Sequence, residues 1–483
     1  MSLQKQMASG VVWSILQQLS VQLINFIVLL ILSRVLMPEA FGLFAMLQVF
    51  IAIGTALMDA GMTSSLIRKK DVTHQDYSTV FCINLLAAIV IYGIIFFVAP
   101  LISHLYTQPQ LTPVLRVFAI SFIIQALISV QATRLTKQMN FKLQLYFQLP
   151  ASIIGALCGI WFALHGYGVW SLVYMNLIRA VVSMLQHWIF THWRPSLQMD
   201  KKLLRYHFHF GSKITLISII NAIYNNMYDL LIGKFFSART LGFYNQANTL
   251  SMFPVQFIAS SVEKVSYPAF AKIQSDEQRL KFAYKNLLQV LCFMVSPVMM
   301  FLILTAQPVV HILLSDKWLP AVPFFQILCI YAMIYPLQTY NINILKVKGR
   351  SDLLLKIEVV KKVVGIAGTI VAIQFGIDAL LWFKVAYGFF LFYMNTYYSG
   401  KMIGYSIGEQ IKNLAPLYII SFVAAAACFF INSLLQVSHL NYWIWITVDA
   451  IIFAVVYFTC TAIWHKQVLT YIGTIIKNLF NKK

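Results

Sequence analysis

The sequence predicts an all-α polytopic membrane protein of about 14 transmembrane helices, set out as two parallel six-helix halves and two further carboxy-terminal helices. Three observations carry this. First, 60% of the 483 residues are hydrophobic, only 11% are charged, and the mean hydropathy is +0.76. Soluble domains carry roughly a quarter charged residues, so no soluble core would bury so much apolar surface. Second, the apolar residues fall in runs of about 18–23, the length a helix needs to cross ~30 Å of hydrocarbon. The alternating ~10-residue segments of a transmembrane β-barrel are absent. Third, the loop at residues 33–44 is echoed two hundred positions later at residues 233–244. Each copy ends an apolar run with a basic residue (Arg34, Lys234), turns through short polar residues, and restarts at glycine, an apolar residue and an aromatic one. Only Gly42 and Gly242 are identical between the copies.

Taken in order, the spans lie near 11–33, 43–64, 79–99, 114–133, 141–164 and 168–190, and then 211–232, 243–262, 286–306, 320–340, 359–376 and 378–397. Spans near 414–435 and 442–464 complete the set. The first is too long for a signal-peptide core and no small-x-small cleavage site follows it, so it is expected to remain as helix one. Pro100, Pro109 and Pro113 punctuate the turn after the third span, and Gly166-Tyr167-Gly168 makes a tight turn after the fifth. Lys356, Glu358, Lys361 and Lys362 crowd the start of the run at 359–376, which is expected to begin as an amphipathic helix at the interface. The resulting domains are 1–190, a basic cytoplasmic linker over 191–213, 214–400, and 401–483 with two extra helices and a cytoplasmic tail.

Charge tests this map. With the amino terminus inside, cytoplasmic segments hold 29 of the 36 Lys and Arg residues. External ends hold five: Arg34, Arg116, Lys234, Arg239 and Lys317. Basic residues orient helices in lipid by staying cytoplasmic, so both termini are expected there. The net charge of +21 is spread over these short loops, which disfavours a nucleic-acid partner and favours an anionic substrate. Six spans separate the two copies of the opening loop. Six is even, so both loops face outward and the halves run parallel.

No phosphate-binding loop, dinucleotide fingerprint, zinc-helix motif or nucleophile elbow is present, so neither an enzyme nor an ATP-driven pump is indicated, and no cofactor is expected. All six cysteines (Cys82, Cys158, Cys292, Cys329, Cys428, Cys460) sit in apolar runs without a CxxC pair, as small core residues. His207-Phe208-His209 falls in the linker with no carboxylate or cysteine near in sequence, and is expected to be solvated; no metal site is predicted.

Charges inside spans are informative, because even lenient scales cost them about 2.5–3.5 kcal/mol near the bilayer centre. Asp59, Arg179, Asp229, Lys384 and Asp449 qualify. An anionic substrate needs cations to replace its hydration. Arg179 and Lys384 suit that role, arginine better for a bidentate contact; the alternative is pairing with Asp229 or Asp449, or snorkelling to an interface. Gln18, Gln22 and Asn25 share one face of span one, and Asn221, Asn225 and Asp229 one face of span seven. Such stripes either join helices through hydrogen bonds worth ~0.6 kcal/mol each or line a hydrated cavity. Their recurrence on equivalent helices favours the cavity. Asp59, near the cytoplasmic end of span two, could cap its helix, pair with Arg68, or bind a coupling proton or sodium ion.

Several stretches in order resemble the Wzx-type polysaccharide flippases of the multidrug/oligosaccharidyl-lipid/polysaccharide exporter superfamily. They are Arg34 to Gly42; Asp59-Ala60-Gly61 leading into Ser65 to Lys69; Val265 to Asp276; Asp316-Lys317-Trp318 with Ala321 and Pro323; and Lys348 to Asp352. Ser315 stands where relatives often have glycine. The resemblance implies a MATE-like fold in a bacterial inner membrane, with helices one and seven lining a central cavity. It implies that the chain flips polyprenyl-diphosphate-linked oligosaccharide units by alternating access for O-antigen, capsule or exopolysaccharide. The partners implied are that lipid-linked substrate, membrane lipid, and candidate polymerase and chain-length proteins. Rival readings are a drug or cation antiporter of the same fold, a lipid II-type flippase, and a membrane scaffold in a polysaccharide synthase complex. A major-facilitator transporter is disfavoured, since residues 68–73 lack that family's loop pattern. Arg34, Glu39, Lys234 and Arg239 become external gate candidates, with Glu39 opposite Arg239 when the two loops are aligned.

Overall fold

Each long apolar run becomes helix, because in lipid a backbone can satisfy its hydrogen bonds only within its own segment or in a closed barrel. The computed structural model describes residues 3–196, 198–435, 441–471 and 473; the tail carrying Lys477, Lys482 and Lys483 lies outside them. In chain order the helices are α1 (Leu3–Val35), α2 (Pro38–Asp59), α3 (Met62–Arg68), α4 (His74–Leu105), α5 (Leu111–Phe118), α6 (Ile120–Lys137), α7 (Phe141–Leu164), α8 (Val169–Phe190) and α9 (Lys201–Asn225). There follow α10 (Met227–Phe235), α11 (Ala238–Lys272), α12 (Glu277–Leu304), α13 (Ala306–Leu314), α14 (Val322–Val347), α15 (Ser351–Ala372), α16 (Ile377–Ile403), α17 (Ile407–Leu435) and α18 (Tyr442–Trp464).

Helix occupies all the positions expected for spans, and among the described residues 11 segments are long and apolar enough to cross a membrane. The other three positions, α9 with α10, α11 and α15, are helical but more polar. They hold the Asn and Asp residues of span seven, the Asn-Gln segment of span eight, and the lysines at the start of α15. Phe97, Leu101, Leu157, Phe375 and Phe429 stand exposed on outer helix faces, as lipid-facing residues do.

The chain divides into two compact units, Met1–Asn245 and Gln246–Lys483. In the first, α7 packs on α1 and α8, α4 on α5 and α6, and α2 on α9. The α7–α8 contact uses a Gly155-x-x-x-Gly159 pair: a Cβ at Gly155 would lie 2.8 Å from the Met175 carbonyl oxygen, and one at Gly159 2.7 Å from the Met175 Cβ. Small residues let helix backbones approach where lipid offers no hydrophobic drive. In the second unit, α14 packs on α12 and α16, and α17 on α12 and α18. Polar pairs join these helices: Ser296 Oγ to Ser421 Oγ at 2.8 Å, Ser399 Oγ donating to Asn341 Oδ1 at 2.6 Å, and Asn395 Nδ2 to the Gln338 carbonyl at 2.9 Å.

Two expectations need correction. Span seven is not one continuous helix: α9 ends at Asn225, Asn226 adopts φ −103 and ψ 12, and α10 begins at Met227. Asn221, Asn225 and Asp229 therefore do not share one straight helical face. Nor is His207 solvated. It is fully buried, because α9 starts at Lys201 inside the expected linker and carries His207 against α3 and α4. Its Nδ1 meets Ser65 Oγ at 2.8 Å and its Nε2 meets Asp76 Oδ1 at 3.0 Å. Lys69 Nζ reaches the same carboxylate at 2.5 Å. The carboxylate was invisible to a local reading because it lies 131 residues away.

Candidate functional site

Arg179 sits on α8 where that helix crosses α7. A Cβ at Gly155 would lie 2.9 Å from the Arg179 Cβ, so the glycine is what allows this arginine its position. Its Nη2 donates to Asn176 Oδ1 at 3.2 Å, and Asn176 in turn donates to the Leu172 carbonyl at 2.8 Å. Arg179 borders a cavity of about 460 Å³. The polar lining comes from five helices: Asn25 of α1, Gln48 of α2, Ser121 and Gln125 of α6, Gln148 and Ser152 of α7, and Asn176 and Ser183 of α8. No carboxylate lines it, and none pairs with Arg179 among the described residues. One cation among amides and hydroxyls suits an anionic oxygen flanked by sugar hydroxyls, since amides and hydroxyls both donate and accept.

Of the expected residues, Asn25 and Arg179 come together here. Gln18 is exposed and Gln22 half-buried, and neither lines this cavity. Gln17, one position earlier, donates to Gln148 Oε1 at 2.8 Å. Gln48, Gln125, Gln148 and Asn176 were missed. Gln48 is the one amide of α2, while Gln125, Gln148 and Asn176 each share an apolar helix with one other amide, and only the three-dimensional packing shows that four separate helices bring these four to one space.

Asp59, the last residue of α2, accepts from Thr63 Oγ1 at 2.9 Å through Oδ2, while its buried Oδ1 has no hydrogen-bond partner among the described residues. Arg68 does not pair with it. That guanidinium lies 3.9 Å from the centre of the Phe210 ring. Asp59 borders a second, more open cavity of about 520 Å³ with Thr55, Thr63 and Ser129. Gln125 and Ile128 line both cavities, so the carboxylate and Arg179 border adjoining polar spaces.

Asn221 is half-buried and Asn225 exposed beside the break in span seven. Asp229, in the first turn of α10, accepts from Asn245 Nδ2 at 3.1 Å. In the second unit, Lys384 Nζ on α16 donates to Asn248 Oδ1 at 2.9 Å and stands 5.1 Å from the Tyr331 ring centre. Asp449, the other in-span acid, is fully buried on α18.

The two repeated loops meet. A Cβ at Gly42 would fall 1.7 Å from the Ala238 carbonyl oxygen, and one at Gly242 would fall 2.0 Å from the Pro38 carbonyl oxygen. Beside this contact Arg239 Nε lies 3.4 Å from Glu39 Oε1. Lys234 Nζ donates to the Leu105 carbonyl at 2.6 Å, capping α4 with a cation where its dipole is negative. Arg34 is exposed in the last turn of α1.

A family model described as "Polysaccharide biosynthesis protein" matches residues 31–323. The lipopolysaccharide biosynthesis protein WzxC of Escherichia coli (strain K12) is 25% identical over 363 residues, covering 75% of this chain and 74% of that protein. A solved structure of the lipid II flippase MurJ in an inward closed conformation superposes with a TM-score of 0.75, over 95% of this chain and 99% of that one, at 13% identity. An inward-facing multidrug resistance MATE family transporter of the MOP superfamily superposes with a TM-score of 0.60, over 79% and 95%, at 14% identity. The fold is therefore the all-α, MATE-like polytopic fold that the sequence led one to expect.

Proposed function

This chain belongs to the polysaccharide biosynthesis protein family, and on that premise we propose that it is a flippase moving polyprenyl-diphosphate-linked oligosaccharide units across a bacterial inner membrane for surface polysaccharide synthesis. The observation that carries the reading is the Arg179 cavity. A carboxylate-free, amide-lined space with one guanidinium can take up phosphate charge and hydrogen-bond sugar hydroxyls together. Lys384, on the second unit, is a separate cation that we assign to the substrate path, held by Asn248 and beside the Tyr331 ring. Asn221, Asn225 and Asp229, at the broken helix, join the substrate path, because interrupted helices expose backbone groups for ligands at membrane depth.

The topology we assign has both termini cytoplasmic, parallel halves over 1–190 and 214–400, and residues 401–483 outside the repeat. Asp59 is the coupling candidate, through its half-satisfied carboxylate next to the Arg179 cavity. Glu39, Arg239, Arg34 and Lys234 form the outer gate. The chain acts as a transporter without covalent chemistry, alongside a polymerase and chain-length proteins. A drug or cation antiporter fits less well, because a cavity whose only charged lining residue, among the described residues, is arginine repels cations. A lipid II-type flippase shares the diphosphate anchor and differs in the head group.

Deletion of the gene followed by lipid analysis tests the reading. Undecaprenyl-diphosphate oligosaccharide is expected to build up on the cytoplasmic face, relieved by the intact gene and poorly by Arg179→Ala. Absence of that build-up would reject the flippase assignment.

A further inference from the structure

A second donor-rich cavity lies away from the transport site, at the end of the first unit where α6 and α8 finish and α7 begins. Its volume is about 430 Å³. Arg134 of α6 stands in it with its guanidinium 5.4 Å from the ring centres of both Tyr77 and Trp193. Among the described residues no carboxylate pairs with Arg134. Gln131, one turn earlier and 1% exposed, accepts from Thr191 Oγ1 at 2.9 Å through Oε1, but its Nε2 is buried without a partner. Trp193, 6% exposed, likewise has a buried Nε1 without a partner.

The residues that carry these three donors, from two segments, thus line one space with no acidic residue in its lining among the described residues. A donor left unpaired in a buried place costs about 1–3 kcal/mol, and a guanidinium more, so such a set favours an acceptor with several negative oxygens. Arg194 is not part of the set. Its guanidinium donates to the carbonyls of Trp188, Thr191 and Trp193 and so holds the end of α8 in place. The other edge is apolar: Phe190, 60% exposed, and Leu143 border the same space.

We propose that this cavity is a phosphate-binding site, distinct from the transport cavity, that holds the phosphate of an anionic glycerophospholipid or of a soluble phosphate ester. Arg134, Gln131 Nε2 and Trp193 Nε1 donate to its oxygens. The apolar rim at Phe190 suits the lipid source, because a head group held there would lay its chains over an exposed ring. Basic pockets at helix ends on the cytoplasmic side bind anionic head groups in this way.

The test is native mass spectrometry of the detergent-purified full chain with added phosphatidylglycerol, with phosphatidylcholine as control and glycerol 1-phosphate as soluble competitor. One phosphatidylglycerol is expected to be retained about tenfold more tightly than phosphatidylcholine, and Arg134→Gln to remove that preference. Trp193→Phe keeps an aromatic ring against Tyr77 while removing the N–H together with the indole's five-membered ring, so it decides the matter if Arg134→Gln fails to fold; a loss of severalfold is expected. Displacement by glycerol 1-phosphate would identify a soluble ester as occupant, and resistance to it a lipid; both uphold the phosphate site. Equal retention of both lipids by wild type, or unchanged preference in both variants, overturns it.

Discussion

Gly42 and Gly242, equivalent residues of the repeated loop, each rest on the backbone carbonyl that opens the other's helix: Gly42 on Ala238, Gly242 on Pro38. The contact is reciprocal, because Pro38 and Ala238 are themselves equivalent positions. Only glycine is tolerated there, since real Cβ atoms do not approach a carbonyl oxygen to 1.7 or 2.0 Å. This explains why the one identity between two otherwise diverged loops is a glycine.

The first prediction weighs this contact against the adjacent ion pair. Glu39 and Arg239 have side chains 43% and 53% exposed, and pairs of that kind contribute ~0–1 kcal/mol. Glu39→Gln should therefore leave folding and export nearly intact. Gly42→Ala puts a methyl into backbone that cannot yield, so the two helix starts must separate. Export of polysaccharide is expected to fall about tenfold or more in Gly42→Ala, and cysteines at 39 and 239 to crosslink readily only when Gly42 is present. If Gly42→Ala exports normally, the contact is not part of the gate.

The second concerns Arg179. Charge-assisted hydrogen bonds contribute ~1.5–3 kcal/mol, or about ten- to a hundredfold in affinity. Arg179→Ala should lower flipping by that range, and Arg179→Lys should recover part of it by keeping the charge while losing the planar fork. Gly155→Ala tests the same site from outside. The added methyl would meet both the Met175 carbonyl and the Arg179 Cβ, displacing the arginine with no charge removed. Flipping measured in vesicles should fall in Gly155→Ala while the protein stays in the membrane fraction.

A third rests on the adjoining cavities. Asp59→Asn preserves size and a bond to Thr63 but removes the charge. If Asp59 couples transport to an ion gradient, the variant should still bind substrate while transport loses its response to an imposed pH or sodium gradient. A response equal to wild type would dismiss Asp59 as the coupling residue.

How much of this was legible in the chain follows from the range of each interaction. Helix positions depend on local runs of apolar residues, and these fell where the runs are. The meeting of Glu39 and Arg239 was legible because a repeat supplies long-range information within one sequence. The break at Asn226 was not, since asparagine is a weaker helix stop than glycine or proline and helix-compatible residues continue on both sides of it. Gln48, Gln125, Gln148 and Asn176 were hidden for a different reason: an amide in a span reads equally as helix glue or cavity wall until its neighbours are known. Arg179 stood out because charge in lipid is costly wherever it points.

The last prediction concerns His207, which local reading placed in solvent. Burial pushes its pKa below the ordinary histidine range, with the Asp76 carboxylate opposing that shift. The groups that face it are Asp76 and, through Asp76, Lys69, with the Ser65 hydroxyl on the other nitrogen. Unfolded, the imidazole takes a proton near pH 6.5; folded, it resists until lower pH. Below about 6.5 the unfolded chain therefore binds more protons, and stability falls with pH until the folded pKa is passed. Above about 6.5 this contribution is flat. His207→Gln retains hydrogen-bonding capacity and cannot titrate, so its melting temperature, though lower overall, should lose this part of the decline between about pH 6.5 and 5. Intrinsic-fluorescence melting of both proteins in one detergent across that interval measures the difference. A decline that is identical in the two would mean that another group carries the acid sensitivity.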